Sequence, residues 1–450
     1  MIAPARTAAF HALQAIAGGR SDLPAALARS REHLTDDRDR SLTAEIVTGT
    51  LRWQRAIDHL IAHMAKRTLA RLDVEVLTIL RLSLYQILHL DRVPASAVVD
   101  DAVNLTRGAR KPSAAGFVNA VLRSTLRQRT SLPFPERPQA EGDRDAALAY
   151  LGITHSHPEW LVSRWLSRVG FEDAERWVRF NNATPGLTLR ANRLMTSRDA
   201  LRTELAARDI ETEPSRYAPD GLDVRAGNPL STDPNGFFVV QDEASQLVPL
   251  VVGARPGERV LDLCASPGGK TTALAVDMAD SGLLVACDVR PARIDLLRRT
   301  VRASGAQHVH VVHVPADGPL AFGPVFDRVL VDAPCSGLGT IRRDPDIRWR
   351  RTEGDLAGLA RAQVALLARA AATVTPGGRL VYATCSSEPE ENEDVVDAFL
   401  AGHRDFTLAP VADGTNALTP FIDGRGMMRT RPYADGLEAF FAAALTRAVP

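Results

Sequence analysis

Cysteine and lysine are scarce in this chain of 450 residues, and neither sign of charge prevails. The four cysteines, Cys264, Cys287, Cys335 and Cys385, all lie in the C-terminal half and form no CxxC pair. That excludes a secreted disulfide framework and a structural zinc site, and a reducing, cytoplasmic location is expected. Long hydrophobic runs are missing too. The opening MIAPARTAAFHALQAIAGG is interrupted by Arg6, His11 and Gln14, so it does not read as a signal peptide, and no later segment is apolar enough to span a bilayer. Lysine occurs only at Lys66, Lys111 and Lys270, yet 54 basic residues balance 54 acidic ones. A zero net charge gives no global basic footprint, so any nucleic-acid surface has to be local. The arginine excess suits bidentate phosphate contact. A base-composition bias in the coding DNA produces the same skew and is the simpler cause.

What the chain does have is enough apolar sequence, 45% of residues, for two or three cores. Residues 1–130 read as all helix, with apolar positions at helical spacing in Phe10, Leu13 and Ile16, in Ile57, Leu60 and Ile61, and most strongly from Val76 to Leu88. Residues 131–154 are expected to be a linker, because SLPFPERPQAEGD (131–143) is rich in proline and charge without periodicity. Residues 155–236 read as a small α+β unit, with a helical start at Pro158–Val169, a strand in LTLRAN and a helix at Ser197–Arg208. From 237 to 450 the apolar runs RVLDLC, LLVACDV, HVHVVHV, DRVLVDAP and RLVYATC alternate with amphipathic segments. This rhythm predicts an α/β domain with a parallel, Rossmann-like sheet covered by helices on both faces.

The first of those strands runs into Asp262-Leu263-Cys264-Ala265-Ser266-Pro267-Gly268-Gly269-Lys270-Thr271-Thr272. A strand, a Gly-rich turn and a helix N-terminus bind a nucleotide-like ligand at the carboxyl edge of a sheet. A phosphate-binding Walker loop is the competing reading, but its pattern requires glycine where Cys264 stands. Asp288, about twenty residues on at the end of the second strand, is placed to accept hydrogen bonds from ribose hydroxyls; helix capping before Pro291 is its structural alternative. Asp317, after the third strand, can hold an adenine amino group or simply form an Asp-Gly turn.

The fourth strand ends in Asp332-Ala333-Pro334-Cys335 and the fifth in Thr384-Cys385. In a sheet of order 3-2-1-4-5 these strands are neighbours, so both thiols face the crevice beside the cofactor. One cysteine at a strand end is usually a small buried hydrophobe; two there, one with an adjacent aspartate, point to chemistry. Carbon 5 of cytosine becomes nucleophilic once a thiolate adds to carbon 6, and the resulting enamine can take a methyl group from a sulfonium. The proton on carbon 5 must then leave, and a second thiol, expected on the ring's other side, can serve as the base. Asp332 is placed for the N3 and N4 edge of the ring. The Lys270 ammonium suits charge at O2 or a phosphate, or is an ordinary helix-start lysine. Spacing alone leaves open which cysteine attacks.

DLCASPGGKTT, DAPCSGLGT with IRRDPDIRW after it, and ATCSSEPEENEDVV together resemble the Nop/Sun RNA cytosine-5 methyltransferases. The front end, with TDDRDRSLTAEIVTGTLRW, LRLSLYQILHLDRVPASAVVDDAV and GFVNAVLR, is similar to the NusB-like RNA-binding domain of the bacterial RsmB/Sun (Fmu) branch, which modifies 16S rRNA. The resemblance implies a helical NusB-like domain, a small α+β RNA-binding subdomain and an S-adenosylmethionine-dependent methyltransferase domain. It implies Cys385 as nucleophile, Cys335 as the residue that assists release, and cofactor contacts from Cys264, Ala265, Ser266, Pro267, Gly268, Gly269, Lys270, Asp288, Asp317 and Asp332. The reported substrate of that branch is cytosine 967 of 16S rRNA before subunit assembly. A monomer that uses neither metal nor membrane is expected. Arg342, Arg343 and Arg348, just after the Pro-Cys loop, are expected to hold phosphates near the flipped base or to form a solvated face.

Two other classes compete with this one. An RNA-binding assembly or antitermination factor with the methyltransferase fold as scaffold would be favoured by loss of a catalytic thiol, and both thiols are present. An exocyclic-amine methyltransferase usually needs a [DN]-P-P-[YF]-like site, where this chain has DAPC.

Overall fold

The computed structural model describes residues 2–139, 142–231, 236–411 and 416–450. Residues 140–141 of the expected linker and 232–235 of the expected small unit therefore lie outside the described residues. The chain divides into two compact units, Met1–Thr184 with Ile341–Glu353, and Pro185–Thr340 with Gly354–Pro450.

The first unit opens with seven helices, Pro4–Ala17, Leu23–His33, Asp37–Arg52, Gln54–Ala65, Val74–His89, Ala95–Gly108 and Ala115–Arg127. Asp22 and Asp36 cap two of them, their carboxylates accepting from the amides of Ala25 and Arg38. The most apolar helix, Val74–His89, runs through the core and buries Ile79, Leu80 and Leu84 completely. Gly49 lets Tyr85 approach, since a Cβ there would sit 1.9 Å from the phenol ring. The stretch expected as a linker has neither helix nor strand over residues 131–139 but carries a helix at Arg144–Ala149 and a π-helical turn at Tyr150–Thr154. Asp143 caps that short helix, and the Tyr150 hydroxyl donates to Glu175. Six residues are too few for a helical period to show in the sequence. The next helix, Glu159–Asn182, is broken at Gly170 with φ of 77°.

The second unit holds two sheets. β1 (Thr188–Ala191), β2 (Glu211–Pro214), β3 (Gly221–Ala226) and β4 (Phe238–Val240) form an antiparallel sheet in the order β2-β3-β1-β4. The larger sheet contains β5 (Arg259–Asp262), β6 (Leu283–Asp288), β7 (Val309–His313), β8 (Phe326–Asp332), β9 (Val374–Thr384), β10 (Phe406–Ala409), β11 (Met428–Arg429) and β12 (Phe441–Arg447). Its order is β10-β12-β9-β8-β5-β6-β7, with β11 paired to β12. The five strands β7-β6-β5-β8-β9 are parallel and reproduce the expected 3-2-1-4-5 arrangement, while β12 runs antiparallel to β9. Burial on both faces explains why the apolar stretches of β5, β6, β8 and β9 read as unbroken runs, whereas the edge strand β7 is only half-buried and its histidines are exposed. The order reverses beside β5, so the crevice opens where β5, β6, β8 and β9 end.

Candidate active site

The Gly-rich turn leaves β5 and enters the helix Gly269–Asp277. Gly268 adopts φ of 111°, and a Cβ there would lie 2.9 Å from the Thr300 side chain, so only glycine fits this bend. Ala265 donates its amide to the Cys287 carbonyl and Ser266 its hydroxyl to the Arg293 carbonyl, which ties the turn to β6 and the helix Pro291–Ser304. The small sheet holds it from the other side. Arg190 of β1 is buried and donates to Gln241 Oε1 (2.8 Å), to the Gly269 carbonyl (3.1 Å) and to Thr272 Oγ1 (2.7 Å). Burial brings this guanidinium down to about 10. Nothing in the sequence marked Arg190, whose contacts are made across 51 to 82 residues of chain. Arg190→Met should weaken S-adenosylmethionine binding about tenfold by removing the guanidinium that ties β1 to the Gly269 carbonyl and the Thr272 hydroxyl. A calorimetric Kd within twofold of wild type, with only the melting temperature lowered, would reduce Arg190 to a scaffold role.

Two carboxylates lie at the strand ends on either side of the turn in sequence, Asp262 before it and Asp288 after it. Asp262 is fully buried; Oδ2 accepts from Thr271 at 2.7 Å, and Oδ1 has no protein partner. Asp288 is also buried, with Oδ1 accepting from the Arg290 amide and Oδ2 3.9 Å from Arg293. An orphan acceptor, a second carboxylate at the next strand end and a turn that tolerates no side chain at Gly268 fit a cofactor bearing both amino and ribose groups. Asp288 does not cap the helix Pro291–Ser304, whose N-cap is Arg290.

Burial, supported by the charges of Asp332 and Asp288, raises Asp262 from 3.8 to about 7. A folded value above the unfolded one means that the native state holds the extra proton. The associated stability is complete below about 3.8 and is lost as pH rises to about 7. Asp262→Asn removes that loss. Between pH 5 and pH 8 its stability relative to wild type should therefore rise by on the order of 3 kcal/mol, read from urea unfolding. Parallel curves for the two proteins across that range would contradict it.

The thiols meet. Cys335 follows β8 and Cys385 follows β9, and their Sγ atoms lie 3.3 Å apart. Gly339 fixes the approach: its amide donates to the Cys385 carbonyl, its own carbonyl accepts from the Ala439 amide, and a Cβ there would sit 2.0 Å from the Ala439 carbonyl oxygen. This spacing corrects one expectation. A ring sandwiched between the sulfurs would need about 7 Å, two van der Waals contacts, so Cys335 and Cys385 as they stand do not flank a ring on opposite faces. The contact with Cys385, then burial, then the neighbouring charges of Cys385 and Glu391 raise the Cys335 thiol well above its ordinary value. Burial with the charges of Asp332, Asp262 and Asp288 does the same to Cys264, and Cys287 is pushed up to about 12. Those two remain neutral thiols.

Lys270 Nζ pairs with Asp332 Oδ2 at 2.7 Å and lies 5.4 Å from the centre of the Phe440 ring. Burial works against its charge, but Asp332, Cys385 and Asp262 outweigh it and hold the ammonium above the ordinary lysine value. Phe440 was not foreseen. Asp317 is exposed in the loop after β7, where Arg369 pins the carbonyls of Pro315 and Ala316; no contact among the described residues joins it to the cluster.

Arg348 is a second correction. It is wholly buried in the first unit, donating to the carbonyls of Arg52, Ser156 and Asn181 and to Asn182 Oδ1, so it neither faces solvent nor reaches a phosphate. Arg342 lies over the Phe180 ring at 4.1 Å, and Arg343 is half-buried.

A sheet of this topology, with a Gly-rich turn after its first strand and carboxylates at the ends of β5, β6 and β8, defines an S-adenosylmethionine-dependent methyltransferase. Three family models divide the chain: the NusB family over residues 3–127, the RsmF/B-like ferredoxin-like domain over 157–231, and the 16S rRNA methyltransferase RsmB/F over 249–446. The chain is 34% identical to the probable ribosomal RNA small subunit methyltransferase B of Bacillus subtilis, with 91% of each covered. It is 36% identical to the ribosomal RNA small subunit methyltransferase B of Pseudomonas putida, with 90% of this chain and 92% of that one covered. A methyltransferase homolog protein of Pyrococcus horikoshii matches 67% of this chain and 99% of its own, at 27% identity and a TM-score of 0.57. The chain belongs to the ribosomal RNA small subunit methyltransferase B family. Among the described residues no helix is long and apolar enough to cross a membrane, and no cluster of metal-ligating side chains occurs.

Proposed function

We propose that this protein methylates carbon 5 of a cytosine in 16S rRNA, cytosine 967, through a covalent bond between Cys385 and carbon 6 that Cys335 helps to release. The reading rests on one observation, the two sulfurs 3.3 Å apart at the ends of neighbouring strands. The Gly-rich turn, Asp262 and Asp288 would hold S-adenosylmethionine, which supplies an electrophilic methyl group. Cys385 adds to carbon 6 as thiolate, and the double bond moves to make carbon 5 nucleophilic. The Lys270–Asp332 pair sets a cation and a carboxylate near Cys385, suited to the charge that attack places on the ring.

The order of proton transfers follows from the sulfur pair. While Cys385 is a thiolate, Cys335 donates a hydrogen bond to it and keeps its own proton. Once the Cys385 sulfur is bonded to carbon, that contact no longer suppresses ionisation, and Cys335 releases its proton to solvent. The resulting thiolate takes the proton from carbon 5 on the face that Cys385 attacked, which is where that proton points if the methyl group arrived from the opposite face. The Cys385–carbon bond then breaks, and both thiol groups return to their starting state. We assign the reaction to the cytoplasm and to a monomer.

The test is transfer of labelled methyl from S-adenosylmethionine to protein-free 16S rRNA, with bisulfite sequencing of rRNA from cells with and without the gene. One cytosine should lose its bisulfite protection when the gene is deleted. Binding of RNA without label transfer would instead make this a scaffold protein, and label on an exocyclic amine would place it in another reaction class.

A further inference from the structure

The acidic run that follows Cys385, Glu388-Pro389-Glu390-Glu391, has the composition of a solvated surface turn. Its last residue is nothing of the kind. Glu391 ends a 3-10 turn, Pro389–Glu391, and is fully buried. Oε2 accepts from the hydroxyls of Ser336 and Ser386, each at 2.5 Å; Oε1 accepts from the Ser336 amide at 2.8 Å and from Gln363 Nε2 at 3.0 Å. Four donors fill the four acceptor sites of an ionised carboxylate. Ser336 follows Cys335 and Ser386 follows Cys385, so one carboxylate grips the residue after each thiol. Gln363 extends the grip, its Nε2 also donating to the carbonyl of Pro334, the residue before Cys335. Asn392 flanks Cys385 on both sides, accepting from the Thr384 hydroxyl and donating to the Ser386 carbonyl.

We infer that Glu391 is the positioning residue that holds the two thiol loops in register, keeping Cys335 and Cys385 at reacting distance. The inference rests on the two-thiol reading above. Ser336 and Ser386 also touch each other directly, their hydroxyl oxygens 3.3 Å apart. Removing the carboxylate leaves two hydroxyls and an amide aimed at an empty buried site, and the loops can then part. A misplacement of about 1 Å at a reacting centre is enough to cost on the order of 100-fold in rate. Glutamine keeps the bridge, because its oxygen can take the Ser336 amide and Gln363 while its amide group donates to the two hydroxyl oxygens, but it removes the charge.

The test uses the full chain and two readouts. Phenylarsine oxide condenses with two adjacent thiols, forming two As–S bonds and losing one water, and so reports the spacing without RNA. Wild type should be captured, Cys335→Ala should not, Glu391→Ala should react about tenfold more slowly or worse, and Glu391→Gln should stay near wild type. Methyl transfer at saturating RNA should fall about 100-fold in Glu391→Ala with cofactor Kd unchanged. Glu391→Gln should recover most of that rate, with the limb of the kcat–pH profile set by Cys335 moved to lower pH, since an anion beside that thiol is gone. If Glu391→Ala does not fold, Ser336→Ala and Ser386→Ala each remove one bridge and should slow both arsenical capture and kcat.

Wild-type arsenical capture and kcat in Glu391→Ala, or in both serine variants, would overturn the assignment and leave the two-thiol reading standing. Undiminished methyl transfer by Cys385→Ala would instead defeat the two-thiol reading and the assignment together.

Discussion

Cys335→Ala should stall the enzyme after methyl transfer, with the RNA still joined to Cys385. Such a variant keeps the nucleophile, the cofactor turn and the Lys270–Asp332 pair, so attack on carbon 6 and methylation of carbon 5 proceed. What it lacks is the base 3.3 Å from Cys385. On a denaturing gel the protein should therefore migrate as a slow band that requires both RNA and S-adenosylmethionine and disappears on RNase digestion. Cys385→Ala should give no band and lose turnover by on the order of 10⁴-fold or more, as removal of a covalent nucleophile does. The double variant should match Cys385→Ala, because release has nothing to act on when no bond has formed. A band in Cys385→Ala and none in Cys335→Ala would exchange the two roles, and the sulfur contact is symmetric enough to make that comparison decisive. Loss of turnover in both with no band in either would falsify the covalent route.

How much of this was legible beforehand depends on distance along the chain. The parallel strand order could be read because the inner strands are buried on both faces and so appear as apolar runs closed by turns, while the edge strand β7 still shows its valines. From that order, the adjacency of Cys335 and Cys385 followed without further information. The close separation of the two sulfurs did not follow, because it depends on Gly339 packing against Ala439 and Cys385, a contact no pattern announces. Buried polar residues were the hardest to read. Arg348 sits in the run IRRDPDIRWRR and looks solvated, yet it satisfies carbonyls 167 to 296 residues away. Glu391 in EPEENED looks like part of an acidic surface, and only the fold shows that the donors of Ser336 and Gln363 converge on it. A charged side chain is buried when enough partners converge, and convergence across a fold leaves no periodic trace. Asp262 was within reach, since Thr271 nine residues later is a natural donor at the start of the next helix.

Asp332→Ala should damage stability and chemistry together, with opposite dependence on pH in the two proteins. In the wild type the Lys270 value is held above 10.5, chiefly because Asp332 outweighs burial. A folded value above the unfolded one makes the pair's stabilisation complete below about 10.5 and lost only as pH rises through the folded value. Without Asp332, burial prevails and the sign reverses: the ammonium costs stability at neutral pH and the cost fades as alkali removes its proton. The deficit at pH 7 should be on the order of 3 kcal/mol, the low end for removing one partner of a buried pair, because Asp332 is partly exposed. It should shrink steadily towards pH 10 in urea unfolding. Asp332→Asn keeps a hydrogen-bond acceptor for Lys270 and should recover part of the stability without recovering methyl transfer, which is expected to fall about 10³-fold in both variants. Activity and stability thus separate in the asparagine variant. If Asp332→Asn methylates RNA at the wild-type rate, the carboxylate serves only to hold Lys270, and the charge that attack places on the cytosine ring has to be met by Lys270 alone.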